Sequence, residues 1–272
     1  MAARTIAWTT LAMGVDHAVG SNPPESGKNN VNLLRVDLTV AHISLFATPQ
    51  ASLSTAGVKT TDFLTRHFTS GMVAMFAVNA NYFDMSQRNV AYGLVVSQGQ
   101  IVSPSTTTQP FELRISRDNA AVIVTDDSTG AQDASPWTAV AGEPYLVSAG
   151  RIVDNKPVKP IVAARTAIGV SAAGADTPPR YLYLLTIDGL EDGGPDNLLY
   201  YGATYLDTAE WLIAAGASEG FNLDGGGSTT MAAISAPNSP RLMNVPHNDE
   251  HNPAVAERAV AISFAVIVGA PT

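Results

Sequence analysis

Short apolar runs, alternating or continuous and broken by Gly, Pro, Asn and Ser, recur along most of the chain. That period predicts strands. Ile6 to Gly14 and Asn32 to Asp37 read as strands joined by an exposed loop, HAVGSNPPESGKNN, and His42 to Thr48 continues the meander. Met72 to Tyr82 reads as a buried strand. Three hairpins follow: Gly93 to Ser103 turning at Gln98-Gly99, Phe111 to Ser116 with Ala121 to Thr125, and Tyr145 to Val153 turning at Ala149-Gly150. Arg165 to Val170 pairs with Tyr181 to Asp188, Met231 to Ile234 is a short strand before a long loop rich in Pro and Asn, and Ala259 to Val268 closes the chain. Two stretches have helical period. Thr60-Thr61-Asp62 caps a helix over Phe63 to Phe68, and Leu206, Ala209, Leu212 and Ile213 form an apolar stripe with Asp207 and Glu210 early and Gly216 as the stop. No repeat, low-complexity linker or charge run marks a boundary, so the pattern predicts one domain over 1–272.

The 272 residues are 46% hydrophobic, ample for a core. With 24 acidic and 15 basic residues the formal net charge is −9, which argues against nucleic acid as a partner. Absence of cysteine excludes disulfides, thiol catalysis and Cys-ligated zinc. MAARTIAWTTLAMGV lacks the apolar core of a signal peptide, and no membrane-inserting run is present.

Chemistry concentrates in Glu219 to Met231, EGFNLDGGGSTTM. An apolar run delivers Asp224 onto Gly225, Gly226 and Gly227, followed by Ser228, Thr229 and Thr230. Three glycines let backbone approach a ligand closely, so the stretch reads as a polar pocket floor, with N–H groups turned outward. Asp188-Gly189 ends its strand in the same way. Asn79 and Asn81 alternate onto one face, which needs hydrogen-bond partners for both amides; neighbouring backbone could supply them. Glu143 sits at a strand start and reads equally as a site carboxylate or a turn residue. Arg165 and Arg258 enter apolar strands and need anionic partners, either a ligand or a buried carboxylate such as Asp188 or Glu257. A divalent metal at Asp192 and Asp196, or at His247 and His251, is possible but not favoured, because coil spacing gives no fixed ligand face. No cofactor is expected.

NANYF at 79–83, GEPYLVSAGRIV at 142–153, RTAIGV at 165–170, Asp188-Gly189, NLDGGGSTTM at 222–231 and ERAVA at 257–261 occur in that order. The set resembles the phosphodiester glycosidase family. The resemblance covers about Ile6 to Val268, with Ala256 where the family often has Gly. It implies an α+β fold, a mixed but mostly antiparallel β-sheet core with few helices, and hydrolysis of a sugar-1-phosphodiester, of the N-acetylglucosamine kind, with a carbohydrate or sugar-phosphate as partner. It also favours a secreted or cell-envelope location.

Such a reaction needs a carboxylate at the anomeric carbon, an acid or base, and cations or dipoles for the phosphate. Asp224 is the expected carboxylate, and Asp188 or Glu143 its partner. Arg165 and Arg258 are the expected phosphate clamps. Asn79, Asn81, Gly225, Gly226, Ser228 and Thr229 would bind sugar hydroxyls or phosphate. The competing classes are a non-catalytic carbohydrate-binding or surface module and a glycosidase for a linkage without phosphate.

Overall fold

The computed structural model describes residues 4–125, 136–154, 161–189, 201–235, 237, 239–247 and 257–270. The chain runs through β1 (Thr9–Ala12), β2 (Val15–Ser21), β3 (Asn29–Asp37), β4 (Ile43–Ala47), helix α1 (Thr60–His67) and β5 (Met72–Asn79). Next come β6 (Val95–Ser97), β7 (Gln100–Ser103), β8 (Phe111–Ile115), β9 (Ala121–Thr125), β10 (Thr138–Gly142), β11 (Tyr145–Ser148) and β12 (Arg151–Ile152). The last third holds β13 (Arg165–Val170), β14 (Tyr181–Ile187), α2 (Tyr205–Ala215), β15 (Glu219–Asn222), β16 (Met231–Ser235), β17 (Arg241–Leu242) and β18 (Ser263–Gly269).

Among the described residues the strands form three sheets, ordered β1-β2-β3-β14-β13-β15-β11-β12, β17-β16-β5-β18-β4 and β7-β6-β10-β8-β9. Neighbouring strands run antiparallel, as in β13 with β14, where Arg165 faces Ile187 and Val170 faces Leu182.

Strand alternation explains the layering. Along β5, Ala74, Phe76 and Val78 face the central core shared with the eight-stranded sheet, while Met75 and Ala77 face α1. On the eight-stranded sheet Leu182 and Leu184 point into that core, whereas Tyr183, Leu185 and Ile187 meet α2 through Trp211 and Leu212. Both sheets are therefore covered on both sides, so their strands read as continuous apolar runs rather than alternating ones. The third sheet adds Val95, Leu113, Ile115 and Val140 to the core. It docks on the edge strand β4, where Ser97 Oγ donates to the Ala47 carbonyl at 2.6 Å and Thr138 Oγ1 to that of Leu45 at 2.8 Å.

The two helices keep their sequence signals with one change. Thr204 caps α2 in a reciprocal box with Asp207, and Gly216 closes it in the left-handed region at φ 108°. α1, however, begins at Thr60, and a distant carboxylate serves its N-terminus: Glu257 accepts from Thr61 N at 3.0 Å and Thr61 Oγ1 at 2.6 Å. Glu257 is thus committed to the helix.

The first loop is shorter than its Gly, Pro and Asn content suggests. β2 continues through Gly20 to Ser21 and β3 starts at Asn29. Gly20 lies under Trp211, where an added Cβ would fall 2.3 Å from the ring.

Candidate active site

Three strand ends converge beside the first residues of β13. Leu223 N donates to the Thr166 carbonyl and Gly226 N to that of Ala164, both at 2.8 Å, and Asp224 N donates to Ala80 beyond β5 at 2.9 Å. From the other flank Gly189 approaches Ala164, and a Cβ there would lie 3.3 Å from its nitrogen and 2.2 Å from Gly202 Cα. The two Asp-Gly pairs therefore bracket Ala164-Arg165.

Each of the three glycines has its own reason. A Cβ at Gly225 would strike the Ala164 carbonyl at 2.8 Å, Gly226 takes φ 56°, and a Cβ at Gly227 would meet the Arg258 guanidinium at 2.4 Å. The loop closes on the protein. The N–H groups of Asp224, Gly226, Ser228 and Thr229 donate to carbonyls, and that of Thr230 to Asn79 Oδ1 at 3.0 Å. Ligand-binding capacity therefore lies mainly in side chains, not in the outward N–H groups expected from sequence.

Asn79 and Asn81 both spend their amides on the protein, each on different elements. Asn79 Nδ2 donates to the Asp224 carbonyl at 2.6 Å, and its Oδ1 accepts from Thr166 Oγ1 at 2.7 Å. Asn81 donates to the carbonyls of Tyr92 and Leu94 and accepts from Ala141 N. They brace the strand ends under the carboxylate.

Around Tyr82 the structure gathers Asp224, Glu143, Arg165, Tyr205 and Asn222. Asn222 Nδ2 donates to Tyr82 Oη at 2.9 Å and to the Glu143 carbonyl at 3.1 Å, and Tyr82 Oη donates to that same carbonyl at 3.4 Å. Burial first, then the charges of Tyr205, Asp224 and Glu143, push the Tyr82 hydroxyl well above its ordinary pKa, with Arg165 opposing. It stays a neutral donor. Asp224 is half-buried and the Glu143 side chain is exposed.

Arg165 is 6% exposed. Its Nε donates to the Ala203 carbonyl at 3.0 Å and its Nη2 to that of Ile161 at 2.7 Å, while the guanidinium stacks 4.1 Å from the Tyr205 ring centre. Its hydrogen-bond partners are neutral carbonyls, and among the described residues no carboxylate reaches it within ion-pair distance. Arg258 lies over Gly227 and donates to Ser228 Oγ at 3.3 Å.

Asp188 turns inward, 2% exposed. Its oxygens accept from Asn244 Nδ2 at 2.7 Å and Val245 N at 2.9 Å, and burial raises its pKa to about 7 against those two stabilising bonds. It pins the segment that carries His247 to Gly227, whose carbonyl an added Cβ there would meet at 3.0 Å. Three buried polar atoms in the glycine stretch, Asn222 Oδ1, Thr229 Oγ1 and Thr230 Oγ1, have no hydrogen-bond partner among the described residues. Such atoms suit a ligand's donors or water.

Among the described residues no group of three His, Asp or Glu could hold a metal. Asp192, Asp196 and His251 lie outside the described residues, and burial lowers the His247 pKa. No helix among the described residues is long and apolar enough to cross a membrane.

Sequence reasoning passed over Tyr82, Tyr205 and Asn222. Asn222 was detectable, because it precedes Asp224 by two residues and so shares its strand face.

The layered antiparallel fold, with carboxylates and a buried guanidinium at its strand ends, has the architecture of a glycosidase-type domain. Residues 72–267 match the sequence profile of the phosphodiester glycosidases, and the chain belongs to that family. The catalytic domain of zebrafish N-acetylglucosamine-1-phosphodiester alpha-N-acetylglucosaminidase, solved in a form auto-inhibited by its pro-peptide, superposes with a TM-score of 0.68 at 17% identity, covering 99% of this chain and 89% of that one. A hypothetical protein from Synechocystis matches with a TM-score of 0.58 at 14% identity, covering 97% of this chain and 64% of its own. A protein from Burkholderia pseudomallei matches at 0.54 and 16%, covering 87% and 73%. No curated protein matches the sequence.

Proposed function

We propose that the protein hydrolyses a sugar-1-phosphodiester in the cleft around Asp224, with N-acetylglucosamine the first sugar to test in view of the zebrafish relative. The observation that carries this reading is Arg165, a 6% exposed cation held by two carbonyls and a tyrosine ring beside Asp224 and Glu143. A buried charge whose hydrogen bonds all go to neutral carbonyls, with no ion pair among the described residues, is costly to hold, and an anionic ligand offsets that cost. A phosphodiester supplies the anion next to the bond to be broken.

Asp224 acts on the anomeric carbon or on the water attacking it. Glu143, exposed beside Tyr82, is the partner acid or base. A phosphodiester is a weakly basic leaving group, so strong acid help is unnecessary. Arg165 and, over Gly227, Arg258 take the phosphate oxygens; Tyr82 Oη, Ser228 and Thr229 address neighbouring oxygens. Asp188 and the two asparagines hold the scaffold, since their polar atoms are engaged inside it.

The test is Arg165→Ala, with melting temperature checked. Losing one charge-assisted contact lowers kcat/KM on the phosphodiester about 10- to 100-fold, leaving an uncharged aryl glycoside within about threefold. Equal losses on both substrates would remove Arg165 from phosphate binding.

A further inference from the structure

We propose that Asn22 is a positioning residue for Arg165, fixing the 202–205 connector that holds the guanidinium; this rests on the reading of Arg165 as the anion-binding group.

Arg165 takes its orientation from the connector, through the Ala203 carbonyl and the Tyr205 ring. The connector is bridged to Ala163 through Ala203, whose N donates at 2.9 Å and whose carbonyl accepts at 3.2 Å, and on its other side it is held by a closed ring of buried hydrogen bonds. Asn22 Nδ2 donates to the Gly202 carbonyl at 2.7 Å, and Gly202 N donates to the Asp188 carbonyl at 3.0 Å. Asn30 Nδ2 donates to that same carbonyl at 3.1 Å, and Asn30 Oδ1 accepts from Asn22 N at 2.8 Å. Asn22 and Asn30 are 3% and 0% exposed. Water therefore cannot replace a broken member without opening the structure.

Asn22 is itself fixed from outside. Its Oδ1 accepts from Arg4 Nη1 at 2.8 Å and Trp211 Nε1 at 3.2 Å. Arg4 in turn pairs with Asp207 at 2.8 Å and Glu210 at 2.7 Å, and Asp207 caps α2 through Thr204. One amide thus ties the N-terminal segment, the start of α2 and the connector together. A backbone carbonyl and an aromatic face orient a guanidinium only as well as they are themselves placed.

Asn22→Asp isolates the decisive contact. It keeps an oxygen for Arg4 and Trp211 and sets a carboxylate oxygen against the Gly202 carbonyl. A displacement of the connector of about 1 Å is enough to cost about tenfold or more in binding or turnover.

Two readouts are combined. The first is the Arg165 Nε–H resonance, assigned by its loss in Arg165→Lys; its hydrogen-exchange protection, due to the Ala203 bond, falls at least about tenfold in Asn22→Asp. The second is KM for the sugar-1-phosphodiester, which rises about tenfold while kcat/KM on the uncharged aryl glycoside holds within about twofold. Retained Nε–H protection in Asn22→Asp overturns the proposal, whatever the turnover. Lost protection with equal losses on both substrates leaves Arg165 positioned by Asn22 and removes phosphate as its ligand. A variant that melts well below the wild type is replaced by Asn22→Ser, which also loses the Nδ2 donor to the Gly202 carbonyl but introduces no buried charge, and reads out the same way.

Discussion

Asp188→Asn turns the burial of one carboxyl into a measurable pH dependence. Burial raises the Asp188 pKa from 3.8 to about 7 even though Asn244 and Val245 donate to its oxygens. Because the folded value is the higher one, the group's contribution to stability is fully present below the unfolded pKa and is lost as pH rises through the folded one. The total swing of about 3 pKa units corresponds to about 4 kcal/mol. Of this, about 3 kcal/mol falls between pH 5 and 8. Asparagine does not titrate; its NH₂ faces one of the two donors, which sets a pH-independent offset between the proteins and leaves the pH-dependent difference to Asp188 alone. Urea denaturation of both proteins from pH 5 to 8 therefore shows Asp188→Asn gaining on the wild type by about 3 kcal/mol across that window. Parallel profiles, or a wild type that gains on the variant with rising pH, would refute the reasoning and make the ionised carboxylate the favoured form.

Gly20→Ala places a methyl 2.3 Å from the buried Trp211 ring and is expected to destabilise by about 1–3 kcal/mol, read as a lower melting temperature. Glu257→Ala removes both acceptors of the α1 N-terminus and should cost about 0.5–2 kcal/mol in denaturant titration, with Glu257→Gln recovering part of it. Tyr82→Phe deletes the hydroxyl that Asn222 donates to; kcat/KM on the phosphodiester should fall about tenfold with little change in melting temperature, and an unchanged value would place the hydroxyl outside the reaction.

Hairpins were legible wherever turn chemistry was local. Gln98-Gly99 and Ala149-Gly150 both take positive φ as their strands require, and the Thr204–Gly216 helix follows its own caps. What the chain pattern hid is non-local. Asn22 and Asn30 look like loop residues and are buried, because their amides satisfy backbone groups at 202 and 188. Glu257 looked like a partner for Arg258 and instead caps a helix nearly 200 positions earlier in the chain. β10 is not among the strands that the sequence pattern predicts, yet it is the centre of the third sheet, a strand made visible by pairing with β8 and β6.

The candidate site shows the same division. Asp224, the glycines and Arg165 stood out because each breaks a local rule: a carboxylate at a strand end, three residues without Cβ, a cation in an apolar strand. Tyr82 and Tyr205 break none, and only the fold brings them to Asp224. Conversely, Asn79 at the end of β5 and Asn81 just beyond it break the apolar pattern for the scaffold's sake, since both amides are consumed within the protein.

Turnover of a panel of sugar-1-phosphodiesters, starting with N-acetylglucosamine, by wild type and Asp224→Asn side by side tests the central claim most directly. The account predicts release of free sugar by the wild type and loss of turnover in the folded variant, with phosphodiester binding kept. A variant as active as the wild type, or a folded wild type that turns over no phosphodiester in the panel, would contradict it.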